Sequence, residues 1–149
     1  MTSSTSPLNA WTRLLGTSSG AGAYALTTGT DGAIYVAGQT EGNLDGQTNS
    51  GGRDAFLTKY NPDGSKVWTR LLGTSLGDGA KALTTGTDGA IYMAGNTQGS
   101  LDGQTYSGGY IDAFLTKYNP DGSKAWTRLL GSDSRATAYA LTTGTDGAI

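Results

Sequence analysis

The chain contains no cysteine, no histidine and a single glutamate, Glu41. Without cysteine there are no disulfides, thiolate metal sites or thiol redox chemistry, and the compartment stays open. Without histidine, the Ser-His-Asp, Cys-His and His-metal constellations cannot be assembled. Charge is also sparse. Lys, Arg, Asp and Glu make up 15% of residues and the net charge is −2, which removes the clustered basic surface that nucleic-acid binding needs. No apolar run is long enough for a membrane-spanning helix. The opening residues, Met1–Ala10, lack the basic and apolar regions of a signal peptide. These absences lead to the expectation of a protein that is not an enzyme and carries no cofactor and no metal.

What is abundant is glycine. There are 25, with frequent Thr, Ser and Asp and no Gly-X-Y period. Together with β-branched and aromatic residues, that composition suggests many short strands joined by tight turns. The regular apolar runs argue against disorder.

The sequence repeats. Trp11, Trp68 and Trp126 each open the phrase WTRLLG, at spacings of 57 and 58 residues. Trp11–Val67 and Trp68–Ala125 differ at ten positions and by one inserted residue, Ile111. The organisation expected is an N-terminal segment (1–10), two full repeats (11–67 and 68–125) and an incomplete third (126–149). Self-similarity at this period marks a propeller, solenoid or array.

Four strands, A to D, are predicted per repeat. In the first they are Tyr24–Thr28, Ala33–Ala37, Ala55–Tyr60 and Lys66–Leu72. Asp31-Gly32 joins A to B, where a hairpin needs positive φ, and Asn61-Pro62-Asp63-Gly64 joins C to D through a type I turn closed by glycine. The long Gln39–Arg53 segment joins B to C, and Gly16–Gly22 joins D to the next A. Four antiparallel strands fit one propeller blade, and a β-solenoid is the structural rival. In strand letters the chain reads D, ABCD, ABCD, A and the start of B. This pattern suggests about two and a half blades: a fragment of a larger propeller, or a subunit that assembles from copies.

The run Gly32, Ile34-Tyr35-Val36-Ala37-Gly38, Gly51-Gly52, Asp54-Ala55-Phe56-Leu57, Asn61-Pro62-Asp63-Gly64 and Trp68 recurs from Gly89 to Trp126. It resembles the bacterial seven-bladed β-propeller repeats known as SBBP repeats. The resemblance implies an all-β propeller of four-stranded antiparallel blades and a secreted or cell-surface setting. It implies no defined activity.

The turn aspartates Asp31, Asp63, Asp88, Asp121 and Asp146 read as structural acceptors. Asp54 and Asp112, each following a Gly-Gly pair, are expected to bind loop amides. Gly42–Gly46 and Gly99–Gly103 resemble half a calcium loop, but each offers one carboxylate and the spaced ligand series is missing.

The informative signal is where the full repeats differ. Both hairpin turns are identical, whereas eight of the ten substitutions fall near the D–A connections or in the B–C segments. In a propeller those two connections emerge on one face. The candidate ligand-binding residues are therefore Glu41, Asn43, Asn49 and Arg53 in the first repeat, and Asn96, Gln98, Ser100, Tyr106 and Tyr110 in the second. The tyrosines could stack on a sugar or anchor a protein, or they could close a packing gap. The expected partner is a glycan or protein ligand, with self-association through open blade edges as a further expectation. A purely structural spacer is the alternative, because long loops drift where tight turns cannot.

Overall fold

A computed structural model describes residues 10–149. Most of the expected N-terminal segment, residues 1–9, lies outside the described residues. The described chain is all-β: β1 (Ala21–Thr28), β2 (Ile34–Thr40), β3 (Asp54–Tyr60), β4 (Lys66–Leu72), β5 (Asp78–Thr85), β6 (Ile91–Thr97), β7 (Asp112–Tyr118) and β8 (Lys124–Leu130). They form two antiparallel four-stranded meanders, β1-β2-β3-β4 and β5-β6-β7-β8. There is no helix among the described residues, hence none long and apolar enough to cross a membrane.

The turns explain the meander. In the β1–β2 turn the Gly29 amide donates to the Ala33 carbonyl and the Gly32 amide to the Gly29 carbonyl. The β3–β4 turn repeats this pattern at Asn61, Ser65 and Gly64. Only the glycine of each turn takes positive φ, Gly32 at 79° and Gly64 at 82°. Both hairpins are therefore type I turns completed by a left-handed glycine. The Asp-Gly pair with both residues at positive φ lies elsewhere, in the β2–β3 loop. There Asp45 (50°) and Gly46 (75°) carry a two-residue turn held by reciprocal Leu44–Gln47 hydrogen bonds.

Period-2 alternation places each strand's residues on two faces. The two sheets stack face to face, with β5 lying across β1, β2 and β3. Tyr35, Ala37, Ala55, Leu57 and Leu72 of the first sheet meet Ala80, Leu83, Ile91, Met93, Phe114 and Tyr118 of the second in one buried cluster. Trp68 extends this contact. Its indole N–H donates to the Pro120 carbonyl, and the Arg70 guanidinium donates to the Gly122 carbonyl, so β4 grips the β7–β8 turn.

Three strand expectations need correction. Strand B runs on to Thr40 and Thr97, so Gln39 and Asn96 belong to strands rather than to the loop segment. The strand expected after Trp11 joins no ladder. Instead Trp11 donates to the Pro62 carbonyl and Arg13 to the Gly64 carbonyl, the contact Trp68 and Arg70 make one repeat later. The third copy of strand A likewise forms no ladder, although Thr143 donates to the Thr85 carbonyl as Thr85 does to that of Thr28. Neither stretch has an adjacent strand to pair with among the described residues.

Candidate functional site

An antiparallel meander sends alternate connections to opposite ends of its sheet, and here the two kinds of loop interlock. The Arg53 amide donates to the Leu76 carbonyl and the Asp78 amide to the Arg53 carbonyl, so the β2–β3 loop is stitched to the β4–β5 loop. The Gln98 amide donates to the Gly77 carbonyl, bringing the β6–β7 loop to the same place. Among these loops opens a cleft of about 570 Å³, lined by Ser19, Glu41, Gly52, Arg53, Ser75, Leu76, Gly77 and Gln98. Three of the candidate residues thus line one cleft shared by the two repeats: a carboxylate, a guanidinium and a neutral amide. Gln98 is partly committed, since its side-chain oxygen accepts from the Gly77 amide.

The other candidates divide. The Asn43 side-chain oxygen accepts from the Asn49 amide, and in the second repeat the Ser100 hydroxyl accepts from the Tyr106 amide. Asn49 then accepts from the Gly51 amide, while the Tyr106 hydroxyl donates to the Gly109 carbonyl. Each pair pins its own glycine-rich loop, so these four side chains are spent on local structure. Asn96 is half-buried in β6 and stands opposite Gly79. Tyr110 differs. It is 72% exposed, with the Arg135 guanidinium 5.7 Å from its ring centroid. That pair occupies the next junction along the chain, where the β6–β7 loop bridges to Arg135.

The aspartates behave mainly as scaffolding. Asp31 accepts from the Ala33 amide, which lowers its pKa below the usual carboxylate range, and Lys59 beside it acts in the same direction. Asp63 accepts from the Ser65 hydroxyl and amide, which lower it likewise. The half calcium loops have another use. Asp45 is held by Lys66 and by the Thr69 hydroxyl, and Asp102 by Lys124 and Thr127, while Leu44 and Leu101 anchor the loops in the core. Among the described residues no group of three acidic side chains converges.

Two carboxylates stand apart. Asp54 is 0% and Asp78 2% exposed, and each has one oxygen, Oδ1, with no hydrogen-bond partner. Asp54 accepts from the Ser50 amide, and Asp78 accepts from the Thr74 amide and hydroxyl. They flank one stretch of backbone: Asp54 fills the space a side chain would need at Gly73, and Asp78 binds the next residue. Burial raises the pKa of both, and the charge of Asp78 raises Asp54 further. The sequence carried a signal for this. Asp78 stands where the first repeat has Ala21 and the third Ala136.

No protein-family model matches the chain. It is similar to the regulatory protein FlaEY of Caulobacter vibrioides, 29% identical over 135 residues, a match that covers 82% of this chain and 14% of that protein. The chain therefore spans only a small part of the length of the curated relative it matches.

Proposed function

We propose that the chain is a section of a β-propeller of the kind SBBP repeats form, and that it serves as a non-catalytic binding module outside the cell or at its surface. Face-to-face stacking of four-stranded meanders, with small residues along β1 and β5, favours a propeller over a solenoid. The observation that carries the binding reading is the coincidence of variation and shape. Most of the positions that differ between near-identical repeats lie toward the β2–β3 and β4–β5 loop end of the sheets, and Glu41, Arg53 and Gln98 line one cleft there. Neutral amides and hydroxyls around a few charges suit an uncharged polar ligand, a glycan or a protein loop. A match to one stretch of a longer relative agrees with a module reading.

The spacer reading also has an observation in its favour. Asn43/Ser100 and Asn49/Tyr106 exchange side chains while keeping the same loop hydrogen bond, as drift under a structural constraint would do. The two readings separate in a binding assay. Changing Arg53, Gln98 and Tyr110 together to Ala should abolish retention on a printed array of neutral oligosaccharides and of surface proteins, and leave the melting temperature within about 2 °C. If the unaltered chain binds nothing on such an array, or the triple variant binds undiminished, the spacer reading stands instead.

A further inference from the structure

Nearly every basic side chain has a partner. Lys59, Lys66, Lys117 and Lys124 each pair with an aspartate, and Arg13, Arg70 and Arg128 donate to backbone carbonyls. Lys81 lies over the Tyr24 ring and Arg135 over that of Tyr110. Among the described residues Arg53 alone has no acceptor, counter-ion or aromatic face, and it stands exposed on the loop cleft. Glu41, on the same cleft, is exposed and likewise forms no ion pair and accepts no hydrogen bond among the described residues.

Leu76 adds an apolar group to this polar lining. It is 52% exposed, at a position where the first repeat carries Ser19 and the third Ser134, so the fold does not require an apolar side chain there. Gly77 beside it gathers the polar groups. A Cβ at that residue would stand 3.7 Å from Arg53 Nη2 and 2.5 Å from Gln98 Oε1. Because Gln98 Oε1 accepts from the Gly77 amide, the NH2 of the same side chain remains to donate. One corner of the cleft thus sets two side-chain donors beside an exposed isobutyl group. Arg53, Leu76, Gly77 and Gln98 all lie where the two full repeats meet.

We propose that this corner seats the acetamido group of an N-acetylated amino sugar. The inference rests on the loop-cleft reading and narrows its ligand. The acetamido carbonyl accepts from the Arg53 guanidinium and the Gln98 amide, its methyl group packs on Leu76, and Glu41 accepts from a sugar hydroxyl. A carboxylated sugar would suit Arg53 but would bring its charge toward Glu41 and set a polar group against Leu76. A plain hexose would leave Leu76 facing water. A peptide strand fits less well, because the loop backbone is already committed. The Arg53 amide donates to the Leu76 carbonyl and the Asp78 amide to the Arg53 carbonyl, so no strand edge is open here for pairing. What remains to recognise a ligand is side chains, which suits a compact terminal group.

The test titrates the 149-residue chain with the methyl glycosides of N-acetylglucosamine and N-acetylgalactosamine, each against that of its parent hexose, followed by amide chemical shifts. At least one acetamido sugar should bind about tenfold or more tightly than its parent, with saturation transfer strongest at the acetyl methyl. Leu76→Ser, a change to the residue both other copies carry, should erase that preference and leave the melting temperature unaltered. Arg53→Ala should weaken the acetamido sugar by about tenfold. A preference that survives Leu76→Ser overturns the proposal. Parent sugars that bind as tightly, and lose binding with Arg53→Ala, overturn it while the cleft reading stands. An acetylated dipeptide amide that binds as tightly also overturns it, in favour of a protein loop. If no glycoside binds, the acetamido assignment falls, and the array of oligosaccharides and proteins decides separately whether the cleft reading falls with it.

Discussion

Asp78 shows how one substitution between near-identical repeats changes the physics of a junction. Where the flanking repeats carry Ala21 and Ala136, it buries a carboxylate beside that of Asp54, each with an unpartnered oxygen. A carboxyl whose pKa is raised by burial holds its proton more tightly in the folded chain than in the unfolded one. Its contribution to stability is therefore complete at acid pH and is lost as pH rises from the ordinary carboxylate range, about 4, through the folded value. The turn aspartates Asp31, Asp63 and Asp121, whose pKa values are lowered, act in the opposite sense, and their contribution is lost as pH falls. Comparing Asp78→Asn with the unaltered chain isolates the buried pair. The amide keeps an acceptor for Thr74 and removes the charge, so its melting temperature should exceed wild type at pH 7 and converge with it toward pH 3. Calorimetry showing that the variant melts lower at pH 7 would mean Asp78 gains more from its charge-assisted bonds to Thr74 than it loses to burial.

Within a strand, the tightest constraint is Gly38. A methyl group there would lie 1.9 Å from the Gly22 carbonyl oxygen on β1, and at Gly95 it would lie 1.9 Å from that of Gly79. The obstacle is backbone rather than a side chain that can rotate. Gly38→Ala should therefore destabilise by about 3 kcal/mol or more, read from denaturant midpoints. Gly16→Ala, where nothing lies within 4 Å, should be close to neutral. Such elements were legible in the sequence where local chemistry decides them. Asn61-Pro62-Asp63-Gly64 could hardly be anything but a turn, and β4 has the bounds its pattern predicts. Legibility failed where the deciding partner is remote in sequence. Nothing in GNLDG announces that Asp45 will be taken by Lys66 and Thr69, 21 and 24 residues on. Nor does the phrase WTRLL announce that Trp11 forms no ladder while Trp68 does, since a strand is defined by its neighbour. Of the candidate site, the loop end was legible from the substitution pattern. The division between Arg53, which opens on the cleft, and Asn49, which is consumed by its own loop, required the fold.

For the molecule as a whole, stability resides in the junction between sheets. Leu83 is buried against the first sheet and Leu26 is not, so the same substitution at equivalent positions should have unequal effects. Leu83→Ala should cost about 2–5 kcal/mol and Leu26→Ala no more than about 0.5 kcal/mol, read from denaturant midpoints. Equal costs would mean that the sheets fold without leaning on each other. The tryptophans carry a further consequence. Trp68 belongs to β4, yet its indole packs on Gly122 and donates to Pro120, both in the turn that joins β7 to β8 of the second sheet. Trp11 stands in the same relation to Gly64 and Pro62 of the first. Each indole is thus an optical probe of the sheet that follows it in the chain. In a chain retaining Trp68 alone, emission reports the undocking of the second sheet even while the strand that bears the fluorophore remains folded.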